Sequence, residues 1–185
     1  YDFFFFDNFT PEDPNTSIKP LMTSARTSII SQLAVENTTS FTLNPAVTVN
    51  NNVAVVTGTA PVDAKTIGFN GVEWPVTWTS VTNWTVLVTL HSGTNQFSVV
   101  GVNMHGQPIS GYSNNVSATY GGTIPSPVGN VVINEIMYHP SVPDAEYVEL
   151  HNTSPNITFD LSGWQFNGLS YTFPAGSLLG PKSFL

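Results

Sequence analysis

Apolar residues recur at three- and four-residue steps from Met22 through Ala25 and Ile29 to Leu33, and Pro20 stands ready to open the segment. That spacing lines one face of a helix over about 20–34, roughly four turns at 3.6 residues each, and proline suits a first helical turn because the N–H it lacks would be unpaired there. After a Thr/Asn/Pro stretch at 37–45 the period drops to two. Val53 and Val55 alternate with other residues, Val72, Trp74, Val76 and Trp78 share one parity, and Trp84, Val86, Val88 and Leu90 make a further run with mostly polar residues between. Two-residue alternation predicts half-buried strands. Asn50-Asn51-Asn52, Asn70-Gly71, His91-Ser92-Gly93 and His105-Gly106 supply turn chemistry between them. Residues 46–120 are therefore expected to form one antiparallel β-sandwich.

Gly121-Gly122 through Ile124-Pro125-Ser126-Pro127 to Gly129 reads as a linker over 121–130, stiffened by its prolines. Four more strand-like runs follow at Val131–Ile133, Glu146–Leu150, Gly163–Phe166 and Ser170–Phe173, parted by Pro, Asn and Ser. No internal repeat relates the two halves. Residues 1–45 then read as the tail of an upstream domain: an irregular opening, whose Phe3–Phe6 cluster needs a surface to cover it, and the helix. A chain that opens within an aromatic run and stops at Phe184-Leu185 is expected to be cut from a longer protein.

Composition sharpens this picture. Fourteen Gly, fourteen Pro, 12% aromatic and only 9% charged residues suit short strands and tight turns better than helices. The net charge of −8 leaves Lys19, Arg26, Lys65 and Lys182 as the strong cations, too few to neutralise phosphates, so nucleic acid and anionic membrane surfaces are poor partners. Zero cysteine excludes disulfides, thiolate metal sites and a cysteine nucleophile, though not secretion. Phe3–Phe6 is far too short to span a bilayer, and no signal-peptide pattern opens the chain.

The motifs Val132-Ile-Asn-Glu-Ile-Met-Tyr-His-Pro140, Glu146-Tyr-Val-Glu-Leu-His-Asn152, Asp160-Leu-Ser-Gly-Trp164 and Phe173-Pro-Ala-Gly176 occur in an order and spacing that resemble the opening half of a bacterial lamin-tail domain. The resemblance implies an immunoglobulin-like sandwich of which residues 131–185 carry the first strands. Thr57-Gly-Thr-Ala-Pro61, Asn70-Gly71 and Trp74-Pro-Val-Thr-Trp78 make residues 46–120 similar to the immunoglobulin-like modules that precede such tails in large secreted bacterial proteins. Arg26–Leu33 resembles the last helix of the spore-coat CotH kinase-like domain, whose nucleotide-binding and catalytic residues would lie before residue 1. The fold class expected is all-β: an immunoglobulin-like sandwich, then a truncated second one of lamin-tail type, with one N-terminal helix. A half sandwich would leave Trp164, Phe166, Tyr171 and Phe173 without an opposing sheet, and large apolar side chains left in water forgo roughly 1.5–3 kcal/mol each. Residues 131–185 are therefore expected to be loosely ordered or paired with another surface.

Candidate chemistry is sparse. Glu135, Glu146 and Glu149, with Asp144, His139 and His151, are the densest group of metal-ligating types, yet strand alternation turns 146 and 149 to opposite faces. The plainer role is hydrogen bonding at turns and strand ends. Asn103-Met-His-Gly106 stands where related modules often carry a calcium-binding acidic turn, but Asn and His replace the acids, leaving a hairpin turn. Trp74, Trp78, Trp84 and Trp164 could stack on sugars, although three share the parity of Val and Leu and so are expected in the core. Trp74, Trp84, Glu146 and Glu149 are retained as candidate ligand contacts. Seven Asn-x-Ser/Thr sequons, at Asn8, Asn15, Asn37, Asn83, Asn115, Asn152 and Asn156, are what a chain so rich in Asn, Ser and Thr generates by chance. No Gly-x-Ser-x-Gly elbow supports Ser/His/Asp catalysis, and no Gly-rich phosphate loop is followed by Lys. The expectation is a non-catalytic spacer or docking region, without cofactor, of a larger extracellular or cell-surface protein. Its partners would be other domains of the parent, surface proteins or polysaccharide, with no nucleic acid and no membrane insertion. The alternatives are a carbohydrate-binding module using exposed aromatics, or the accessory region of a CotH kinase-like protein.

Overall fold

The computed structural model describes residues 18–36 and 38–185. The Phe3–Phe6 cluster and the sequons at Asn8, Asn15 and Asn37 lie outside the described residues. Helix α1 spans Ile18–Glu36, longer at both ends than the apolar spacing indicates. Its stripe is real but nearly uncovered: Met22 is 65% exposed and Leu33 46%. Among the described residues, Ile30, Leu33 and Ala34 share a shallow hollow with Val62 and Asp63. Within the helix, Thr27 Oγ1 donates to the Thr23 carbonyl at 2.8 Å, local bonding that Ser and Thr use where no core is present. No helix among the described residues is long and apolar enough to cross a membrane.

Nine strands follow: β1 (Thr42–Leu43), β2 (Thr48–Asn50), β3 (Val53–Thr59), β4 (Thr66–Phe69), β5 (Val72–Trp74), β6 (Thr77–Trp78), β7 (Asn83–Thr89), β8 (Gly93–Val102) and β9 (Pro108–Tyr120). One sheet runs β1-β3-β7-β6 with β2 also on β3, and the other runs β5-β4-β8-β9. All pairings are antiparallel. The inner faces meet in a core of Ala54, Val56, Ile67, Phe69, Trp84, Val86, Val88, Leu90, Val99, Val116 and Ala118. The Trp84-to-Leu90 run is buried throughout, as its parity requires, and each aliphatic member contributes about 1.5–3 kcal/mol.

Two parities differ from the sequence pattern. On β3 the buried residues are Ala54 and Val56, while Val53 and Val55 lie on the outer face, Val55 opposite the exposed Leu87. Register against β7 decides this: Ala54 faces Val88 and Val56 faces Val86, whose side chains already point inward. The run from Val72 to Trp78 is not one strand either. Pro75 interrupts it, so β5 closes one sheet and β6 joins the other, with Trp74, Val76 and Trp78 packed against the core edge. Asn70 and Gly71, both at positive φ (51° and 84°), make the β4–β5 turn that the Asn-Gly pair announces.

The second unit pairs β10 (Val131–Met137) with β11 (Tyr147–Asn152), and β12 (Phe159–Asp160) with β13 (Leu178–Leu179). Residues 183–185 extend the first of these sheets: Leu150 and Leu185 exchange N–H···O bonds of 2.8 and 3.0 Å, and Asn152 N donates to Ser183 O. Gly163–Phe166 and Ser170–Phe173, expected as strands, form no named strand but are joined by a Gln165–Thr172 bridge and the flanking backbone bonds of Gly163, Trp164 and Phe173. This unit is not without a core. Leu150, Ile157, Phe159, Leu161, Phe173 and Leu179 are buried together, with Tyr120, Ile124, Val131 and Phe166 against them. The aromatics divide: Phe173 and Phe166 join that core, whereas Trp164 and Tyr171 stay exposed.

Candidate functional site

The junction of the two units is closely built. Asn52, in the β2–β3 turn and 2% exposed, accepts from Thr158 N at 2.9 Å through Oδ1 and donates from Nδ2 to Thr158 O at 2.8 Å. Its own carbonyl accepts from Leu90 N at 2.7 Å. One side chain thus satisfies both backbone groups of a residue 106 positions away, in buried surroundings. Tyr120 packs against both cores, and Gly176 lies so close to Pro75 that no Cβ would fit there.

Two side chains organise the second unit. Asn152, fully buried, shares its amide hydrogens among the carbonyls of Ile157 (2.7 Å), Leu179 (3.0 Å) and Gly180 (2.8 Å), and its Oδ1 accepts from Ser154 N. Asp160 Oδ1 accepts from the backbone N–H and the hydroxyl of Ser162, and Ser162 Oγ accepts from Gly176 N. The Gly163 and Phe173 N–H groups then donate to Phe173 O and Trp164 O, closing the loop. The Asn152, Asp160–Trp164 and Phe173–Gly176 motifs are therefore one continuous scaffold. Residues 124–185 match the Lamin Tail Domain family model. The lamin-tail match covers about a third of the chain, starts at Ile124, and belongs to an immunoglobulin-like domain family that agrees with the all-β sandwich architecture. No curated protein and no solved structure matches the chain.

Next to the junction lies a cleft of about 450 Å³ formed by Phe69, Asn70, Val72, Trp74, Val88, Thr89, His91, Asn95, Gln96 and Phe97 of the first sandwich with Asp160 of the lamin-tail segment. Trp74 is held in place by its indole N–H, which donates to Leu87 O at 2.7 Å. A larger trough of about 750 Å³ lies on the lamin-tail segment alone, between Ile136, Tyr138, Tyr147, Phe166, Leu169, Tyr171 and Leu185, with Glu146 at its rim. Tyr138 in its wall is 83% exposed.

The four candidate contacts do not converge. Trp84 is 1% exposed and buried against Gly58, where a Cβ would come within 2.6 Å of its ring, so it presents no surface to a ligand. Its indole N–H has no hydrogen-bond partner among the described residues. Trp74 lines the junction cleft. Glu146 and Glu149 belong to the lamin-tail segment, Glu149 directly opposite Glu135 on the neighbouring strand. Like charges so placed repel. The bulge between Ile133 and Glu135 relieves this, because Asn134 Nδ2 donates to Glu149 Oε1 at 2.5 Å. The hydroxyl of Tyr147 is hydrogen-bonded to Glu135, which holds its pKa above the ordinary phenol value, with lesser contributions from desolvation and the two carboxylates. Among the described residues no three His, Asp or Glu side chains are grouped to hold a metal. Asn103 Oδ1 accepts from His105 N and Gln107 N, so the Asn103–Gly106 segment is a hairpin turn closed by its own side chain. Sequence reasoning missed Asn52 and Asp160. The only signal for Asn52 is its place third in an Asn run, which a turn alone explains.

Proposed function

We propose that residues 38–185 act as a rigid, non-catalytic pair of sandwiches, an immunoglobulin-like module joined to a lamin-tail segment, that spaces or docks other parts of a larger extracellular or cell-surface protein. The observation that carries this reading is the buried two-bond clasp between Asn52 and the Thr158 backbone. A flexible tether would leave both groups in water, whereas here they are paired inside the protein, and removing the Asn52 side chain would leave the buried Thr158 N–H and carbonyl unpaired at about 1–3 kcal/mol each. The shared Tyr120 and the Gly176–Pro75 approach add packing that a swivelling linker would not keep. Low charge and absent cysteine suit a spacer that relies on its sheets for stability.

The test is orientation in solution. Residual dipolar couplings of the chain should fit one alignment tensor for both sandwiches, and Asn52→Ala should split them into two. Independent tumbling of the units in the unaltered protein would sink the proposal.

A further inference from the structure

We infer that the cleft beside the junction is a binding site for a neutral saccharide. The volume of about 450 Å³ falls within the range typical of small-molecule sites, and such sites favour the seams between domains. Its chemistry narrows the ligand. Trp74 and Phe97 supply aromatic surface, fixed by the Trp74–Leu87 bond and by an edge-on Phe69–Phe97 contact at 6.1 Å between ring centroids.

Polar groups converge on the same space. Gln96, Thr89 and His91 line the cleft, and no group among the described residues bonds their side chains. The Asn70 side chain accepts from Ser98 N through Oδ1, which turns its Nδ2 donors to other use, and Asp160 binds Ser162 through Oδ1, leaving Oδ2 as an acceptor. Amide donors, a hydroxyl and a carboxylate beside flat aromatic surface match the two-sided character of a sugar ring, whose C–H face stacks while its hydroxyls hydrogen-bond. A purely apolar ligand would bury these polar groups unpaired. An anion would meet Asp160 in a chain of net charge −8, with no Lys or Arg in the lining. Asp160 also ties the site to the clasp, so the inference rests on the rigid pairing proposed above.

The test is titration of the chain with neutral tetrasaccharides (gluco-, xylo- and manno-configured) and with acidic uronate oligosaccharides, followed by calorimetry and by amide chemical shifts. At least one neutral oligosaccharide should bind and shift the Gln96 and Asn70 side-chain amides. Gln96→Ala, which alters an exposed side chain, should weaken that binding about tenfold, as expected for one lost hydrogen bond, and Thr89→Val should add to the loss. Trp164→Ala, on an exposed residue outside the cleft lining, should leave it unchanged. The inference is overturned by any of four results: no binding of a neutral saccharide at millimolar concentration, binding of uronates alone, binding indifferent to Gln96→Ala and Thr89→Val, or equal weakening by Trp164→Ala. Dipolar couplings from the same samples report the junction separately, so a rigid pair that binds no sugar sinks this inference and leaves the spacer reading standing.

Discussion

Single residues carry much of the order in this chain, and asparagine carries the most. Asn152 supplies donors to three carbonyls and an acceptor to Ser154 N, in surroundings that are buried except at the half-buried Gly180 carbonyl. Asn152→Ala would leave those groups unsatisfied at about 1–3 kcal/mol apiece. We expect urea unfolding to show a loss of at least about 3 kcal/mol, against less than about 0.5 kcal/mol for Asn156→Ala on the surface. The same burial means that, in a glycosylating host, peptide mapping should find Asn152 unmodified even though it heads a sequon. Gly58 is the opposite kind of residue, needed for what it lacks: an added methyl would strike the Thr42 carbonyl and the Trp84 ring. Gly58→Ala should cost about 1–3 kcal/mol by overpacking, read from the same denaturation curves.

Among the elements, legibility followed how completely local pattern and packing agree. β7 was plain in the sequence because Trp84, Val86, Val88 and Leu90 are all buried by one sheet. β3 misled because both parities carry apolar residues, Val53 and Val55 against Ala54 and Val56, and only register with β7 chooses between them. The lamin-tail motifs were visible as a string, while their purpose was not. Asp160, Ser162 and Gly176 meet through hydrogen bonds spanning 14 residues, a distance at which spacing says nothing. Of the candidate contacts, Trp84 lies in the core, as the parity it shares with Val86, Val88 and Leu90 led one to expect, and so offers no ligand surface. Two strand tyrosines, on β9 and β11, tie stability to pH. Tyr147 beside Glu135, and Tyr112 through burial and then Asp63, both have phenol pKa values raised above 10.0. A group whose folded pKa is raised contributes stability that is complete below its unfolded value and is lost as pH climbs through the folded one. Unfolding free energy should therefore decline above about pH 10, and Tyr112→Phe with Tyr147→Phe should flatten that decline.

At the scale of the molecule, two sandwiches with one shared tyrosine and one shared clasp should melt as a unit. Calorimetry should show a single transition for residues 38–185, and Asn52→Ala should separate it into two. Coincident melting of both units in that variant would place the coupling elsewhere, at Tyr120 or Pro75. Helix α1 keeps Met22, Ile29 and Leu33 of its apolar stripe exposed among the described residues. Ile29→Glu should move the melting temperature by no more than a surface substitution does.

Tyr120 belongs to both cores, and that has a consequence for inheritance. Tandem modules are commonly shuffled between genes by recombination at the seam, but a crossover here would hand the tyrosine to one descendant and a hole to the other. The pair should therefore travel together, and a graft that swaps either half alone should need a matching residue restored at the seam before it folds.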